Sequence, residues 1–261
     1  MHKNKRQNKF RGEKRNTSWE KSSKWYNKLV GGEGHYYHQN LILPGVLRLF
    51  DLKKDSSVID FGCGQGVLAR QLPKEVYYQG VDLSRSLISA AQKEDRNSNH
   101  HYIVADATVP MVQTNVRNDF THAAAILSMQ NMERPEGLIK NVAAHVRKGG
   151  KFVVVLNHPY FRIPRQSGWG TNPENKLQYR WVAKYMSEMK IPIQMHPGEQ
   201  SKELTWSFHT PLSTYSKMFK ESGLAIELIE EWVSDKKSTN KAENVSKAEI
   251  PLFMAIVCRK I

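Results

Sequence analysis

The 261-residue sequence predicts a doubly wound α/β fold, and three observations predict it. A short apolar strand, Val58-Ile59, runs through Asp60 into the glycine turn Gly62-Cys63-Gly64-Gln65-Gly66 and then into helical apolar spacing at Val67, Leu68 and Leu72. Three successive strand-like runs each end in an aspartate, Asp60, Asp82 and Asp106. The chain closes on two apolar runs, Leu224–Val233 and Pro251–Arg259, which pair as an antiparallel hairpin across the polar stretch Ser234–Glu249.

Before the core, charge dominates. Ten Lys and Arg face Glu13 and Glu20 within the first 28 residues, so +8 of the net charge of +14 sits there. Residues 1–18 read as a basic, disordered arm suited to phosphate contacts on RNA, or as a solubilising tail. Trp19 to Gly34 reads as an amphipathic helix, and residues 19–50 as a helical cap ahead of a catalytic domain over 51–261. His35, Tyr36, Tyr37 and His38 follow a glycine hinge, either as a lid or as packing for the helix Leu41–Phe50, with Pro44 in its first turn. His35 and His38 have no further ligands at metal-site spacing, so no metal is expected. No apolar run reaches the roughly 18 residues of a membrane span, and no apolar signal segment follows the charged start. With Cys63 and Cys258 the only cysteines, both expected free, the reading is a cytoplasmic protein.

Within the core, glycines at the first turn admit positive φ and let a ligand approach the backbone. Cys63 reads as a small residue in that turn rather than a nucleophile. A helix is expected as far as Leu72. A carboxylate ahead of the first glycine disfavours a pyrophosphate and favours a ligand that joins a cationic amino-acid part to a ribose. The second strand, Val76–Ser84, ends in Asp82, placed to accept from the ribose hydroxyls. Ser84 and Ser86 cap a helix from Leu87 to Glu94. The third strand, His101–Ala107, carries Asp106, so three carboxylates converge on one edge of a parallel sheet.

The pattern Asp60-x-Gly62-x-Gly64-x-Gly66, with Gly80-Val81-Asp82-Leu83-Ser84 after it, resembles the class I S-adenosylmethionine-dependent methyltransferases. The resemblance covers roughly residues 50–157 and 211–261, and the Lys148-Gly149-Gly150 turn into the apolar strand Phe152–Leu156 belongs to it. It implies a Rossmann-like sheet of seven strands with helices on both faces and the last strand antiparallel. It implies S-adenosyl-L-methionine as cofactor, bound by Asp60, Gly62, Cys63, Gly64, Gly66, Asp82, Leu83, Asp106, Ala107 and Ser128. On this pattern Asp106 accepts from the adenine amino group, and Ser128–Asn131, after the strand that starts at Asp119, lies near the transferable methyl. The helix Glu136–Val146 separates that strand from the next.

Residues 158–210 form an insertion rich in aromatics and arginine, where this family shapes its acceptor pocket. Arg162 and Arg165, with Trp169, would grip an acidic or planar acceptor, or else face water. Gly168-Trp169-Gly170 reads as a hinge. Asn157-His158-Pro159-Tyr160 is similar to the Asn-Pro-Pro-Tyr motif of amino-methylating nucleic-acid enzymes. That motif follows the fourth strand and this one follows the fifth, which argues against the same role and favours a part in the substrate pocket. Pro211–Ser222 is a helix with Ser213 as its cap.

The reading is methyl transfer to a small-molecule acceptor, with His158, Tyr160, Tyr36 and His38 as candidate bases should the nucleophile be a hydroxyl. An RNA methyltransferase using its basic arm is the alternative within the same chemistry. An NAD-dependent oxidoreductase or a non-catalytic nucleotide-binding module is the alternative outside it.

Overall fold

The computed structural model describes residues 19–20, 34–111, 114–194 and 204–261. The basic arm and, apart from Trp19, Glu20 and Gly34, the amphipathic segment Trp19–Gly34 lie outside the described residues.

The central sheet has seven strands, β1 (Ser57–Phe61), β2 (Tyr77–Asp82), β3 (His100–Val104), β4 (Phe120–Ile126), β5 (Val146–Asn157), β10 (Leu224–Trp232) and β11 (Phe253–Lys260). Their order is β10-β11-β5-β4-β1-β2-β3. β1 pairs in parallel with both β2 and β4, whereas β11 runs antiparallel to β5 and to β10. Every residue of β1 is buried, as a strand covered on both faces requires. From β1 the chain builds outward through β2 to β3, then crosses back to β4 on the other side. That reversal opens a crevice beyond the carboxyl ends of the strands.

Helices fill both faces. On one side α1 (Leu43–Phe50) and α2 (Arg85–Glu94) pack Val46, Phe50 and Ile88 against Val58, Tyr78 and Val155. On the other, α3 (Pro135–His145) and α4 (Leu212–Glu221) bury Leu138, Val142 and Phe219 against Ile59, Phe152 and Ile256. A wide π-type turn, His38–Ile42, leads into α1, so helical structure begins earlier than Leu41. Ser84 caps α2, its Oγ accepting from the Leu87 amide at 3.2 Å.

Several local expectations need correction. The helix to Leu72 is only a tight single turn, Ala69–Gln71. Gly64 and Gly66 hold positive φ before it and Pro73 forces Leu72 into extended backbone after it, so too few residues remain. Ser213 caps nothing: α4 starts at Leu212, with Pro211 at its N-cap and no side-chain cap. The polar stretch Ser234–Glu249 contains α5 (Lys241–Glu249), capped where Asn240 Oδ1 accepts from the Glu243 amide at 3.2 Å. Gly168-Trp169-Gly170 is not a hinge but part of β6 (Ser167–Thr171), which pairs with β7 (Gln178–Val182). A second ribbon, β8 (Met189–Gln194) with β9 (Leu204–His209), completes the insertion.

Candidate active site

The glycine loop is shaped by its neighbours. Gly62, Gly64 and Gly66 have φ of +76°, +56° and +74°, a region that L side chains disfavour. A Cβ on Gly62 would stand 2.4 Å from Ser128 Cβ, and one on Gly66 would stand 2.6 Å from the Tyr102 hydroxyl. Ser128 is itself fixed, donating from Oγ to the Phe61 carbonyl at 2.7 Å. Asp82 ties the loop to the end of β2: Oδ2 accepts from the Gly64 amide at 2.9 Å and Oδ1 from the Ser84 amide at 2.8 Å.

Above the loop lies a cavity of about 290 Å³. Its wall follows the carboxyl ends of five strands in turn: Gly62 and Gly64, then Asp82 and Leu83, Ala105–Thr108, Ile126–Ser128, and Asn157. His38, from the π-type turn, and Ile193, from β8, close it. Trp19 lines it as well, and its neighbour Glu20 is anchored at the start of α2, Oε2 accepting from Ser84 Oγ at 2.6 Å. Asp106 accepts at Oδ1 from the amide and hydroxyl of Thr108, at 2.8 and 2.7 Å, which fixes the carboxylate at the wall. Leu127 takes φ +51° without being glycine, at a cost of roughly 1–2 kcal/mol. That conformation turns the chain sharply into Ser128–Asn131, and Gln130 and Asn131 both donate to the Leu127 carbonyl.

Electrostatics point to a positively charged ligand part. Asp60 is 3% exposed beneath the loop; Oδ2 accepts from the Tyr78 hydroxyl at 2.9 Å and buried Oδ1 has no partner. Desolvation lifts its carboxyl to about 7, the Tyr78 bond opposing this and the nearby Asp82 adding to it. Asp82 is raised as well, chiefly by burial. A cation bound beside Asp82, the one of the two at the cavity wall, would offset the cost of ionising it.

The sequence-derived candidates divide clearly. Gly62, Gly64, Asp82, Leu83, Asp106, Ala107 and Ser128 line the cavity. Asp60, Cys63 and Gly66 lie off its wall and support the loop. Cys63 is buried and its thiol is pushed well above its ordinary value by burial and by Asp82 and Asp60, so no thiolate forms there. Of the four candidate bases, His38 alone lines the cavity. Its ring is neutral, with burial driving the pKa down to about 4, and its buried Nδ1 has no partner. The other three are placed elsewhere. His158 donates from Nε2 to Glu231 at 2.7 Å and accepts at Nδ1 from the Tyr160 and Phe161 amides, so both nitrogens are engaged. Tyr36 donates to Asp235 at 3.3 Å, and exposed Tyr160 packs on Phe161 and Tyr185. Arg162, Arg165 and Trp169 do not line the cavity; Arg165 is exposed with φ +59°, and Trp169 lies under Arg180 in the β6–β7 ribbon. Sequence reasoning did not single out Leu127 or Ile193, whereas Asn157, read with His158–Tyr160 as a substrate-pocket stretch, does line the wall. Leu127 gave no signal, because nothing in a leucine announces positive φ. Among the described residues no cluster of three or more His, Cys, Asp or Glu could hold a metal.

A family model described as a methyltransferase domain matches residues 34–228, about three quarters of the sequence. The chain belongs to the methyltransferase-domain family. Its fold is that of the S-adenosylmethionine-dependent methyltransferases, the Rossmann-like seven-stranded sheet with helices on both faces. A methyltransferase of that description from Mesorhizobium loti is 24% identical, with a TM-score of 0.66 over 82% of this chain and 96% of that one. Another from Clostridium acetobutylicum is 17% identical at a TM-score of 0.55, over 92% and 98%. The glycopeptide N-methyltransferase MtfA, solved with S-adenosyl-L-methionine, is 15% identical at 0.56, over 84% and 92%. No curated protein matches.

Proposed function

We propose that this methyltransferase transfers the methyl group of S-adenosyl-L-methionine to a small-molecule acceptor in the cytoplasm. The observation that carries the reading is the convergence of the loop, Asp82 and Asp106 on one cavity, with half-buried and buried carboxyls that favour a cation. Asp82 would hold the ribose hydroxyls, Asp106 the adenine amino group, and the loop from Gly62 to Gly66 the amino-acid end. Leu83 and Ala107 would flank the base. Bound there, the cofactor supplies a methyl made electrophilic by its sulfonium.

The chain's own residues then align the acceptor and keep water out. Ser128, Gln130, Asn131 and Asn157 bring hydroxyl and amide side chains to the wall at the strand ends, and Ile193 and Trp19 supply apolar cover. His38 is a neutral hydrogen-bond acceptor at the cavity wall, suited to orienting a nucleophile. With a pKa of about 4 it is a weak base.

A small acceptor is supported by the insertion, whose β8 reaches the cavity through Ile193. The fold likeness to MtfA, which acts on a glycopeptide, is in keeping with an acceptor other than nucleic acid. A cytoplasmic setting is supported by the two free, buried cysteines. We place the domain boundaries at 18 and 50, with the acceptor-shaping insertion over 158–210. RNA methylation keeps one observation in its favour, the basic charge of residues 1–18. The deciding experiment is to delete residues 1–18 and screen candidate acceptors with S-adenosylhomocysteine present. A small-molecule enzyme keeps its activity; an RNA enzyme loses salt-dependent RNA affinity.

A further inference from the structure

Arg48, Arg117 and Arg259 pair with carboxylates. Arg162 and Arg180 are not among them. Arg162 is mostly out of water, with its guanidinium carbon 5.3 Å from the centroid of the Phe253 ring. Arg180 donates from Nε to the Phe161 carbonyl at 2.6 Å and from Nη2 to Ser167 Oγ at 3.1 Å, with the Trp169 ring 5.2 Å away. The two cations are near enough to oppose each other: burial first, and the Arg180 charge second, hold Arg162 below its ordinary value. A half-buried cation facing a second cation, with a ring and no carboxylate to meet it, is placed to take an anion.

Space for such a ligand adjoins the cofactor cavity. A recess of about 30 Å³ is lined by Arg162 together with Gln130, Asn157, Ser207, His209 and Thr210. Gln130 and Asn157 line the cofactor cavity too, so the two spaces share a wall. The recess has room for roughly two waters, the size of one carboxylate head and too little for a nucleotide. Gln130 also carries a buried Oε1 without a partner, an acceptor for an N–H or O–H of the same ligand.

We propose that the recess receives the carboxylate of a small acceptor, gripped by Arg162 with Arg180 behind it, while the acceptor's nucleophile reaches the cofactor cavity past Gln130. A planar guanidinium suits bidentate binding of that group. This inference rests on the methyl-transfer reading above. It sets Arg162 apart from Arg165, which is exposed.

The test uses the full chain with S-adenosylhomocysteine bound and reads thermal stability against matched probes: benzoate with benzamide, glutarate with glutaramide, and inorganic phosphate. The acids are expected to raise the melting temperature and the amides not, with phosphate the weaker anion. Arg162→Gln is expected to remove the acid response while leaving S-adenosylhomocysteine affinity within about twofold, and Arg162→Lys to keep part of the response. Should Arg162→Gln fold poorly, Arg180→Gln is the second variant, expected to weaken the acid response severalfold. Equal responses to acids and amides, no response to the acids in the wild type, or an unchanged response in both Gln variants overturns the inference. Failure of the wild type to bind S-adenosylhomocysteine overturns the methyl-transfer reading instead, so the two failures are told apart.

Discussion

The Gly64 amide donates to Asp82 Oδ2 across 2.9 Å, joining the turn after β1 to the acidic end of β2. One side chain thereby fixes the loop and presents a carboxylate to the cavity. Asp82→Ala removes both roles and is predicted to weaken S-adenosylhomocysteine binding at least tenfold by calorimetry, in line with about 1.5–3 kcal/mol for hydrogen bonds to a charged group. Asp82→Asn should fall between. An unchanged dissociation constant in the alanine variant would show that the carboxylate touches no ligand.

Gly62 faces Ser128 so closely that an added Cβ would stand 2.4 Å from Ser128 Cβ, at a φ of +76°. Gly62→Ala is predicted to cost roughly 1–3 kcal/mol of stability and to weaken cofactor binding, because the loop must move off the cavity wall. Adding Ser128→Gly removes the collision and should recover part of the loss. Chemical denaturation of the single and double variants measures both.

Asp60 titrates near 7 in the fold against an ordinary 3.8. Between those values the folded chain holds a proton that the unfolded chain has released, so this group's contribution to stability falls as pH rises through that window and levels off above it. Asp60→Asn is predicted to flatten that slope. Denaturation midpoints of wild type and variant from pH 5 to 8 give the difference; parallel curves would contradict the assignment.

His38 and His122 carry the opposite sign. Burial drives both to about 4, below the ordinary 6.5. The unfolded chain then binds protons that the fold does not, and the stability these rings contribute is lost as pH falls from about 6.5 through 4. Resonances of both imidazoles should titrate near 4. A midpoint near 6.5 for His38 would mean that its ring is solvated and able to act as a base at neutral pH.

Much of this was legible in the sequence because the signal was local and repeated. Val58-Ile59-Asp60 and the runs ending in Asp82 and Asp106 form three adjacent parallel strands, and the structure brings Asp82 and Asp106 to the same cavity. The π-type turn at His38, with that ring at the wall, had no such signature. Nor did the two ribbons of the insertion. Trp169, Tyr179 and Trp181 are exposed, so no face alternates cleanly between apolar and polar, and the glycines opposite Tyr179 and Trp181 read as breakers. The helix α5 buries only Ser246, which erases hydrophobic periodicity, although Asn240-Lys241-Ala242-Glu243 carries a capping-box signal that was there to be read. His158 misled for a different reason: imidazole reads as a base, and only the folded chain shows Glu231 and two amides occupying it.

Calorimetric titration of the full chain with S-adenosylhomocysteine, and separately with NADH, tests the central claim most directly. The account predicts saturable binding of S-adenosylhomocysteine, one molecule per chain, and no measurable heat with NADH. Saturable binding of NADH with none of S-adenosylhomocysteine would contradict it.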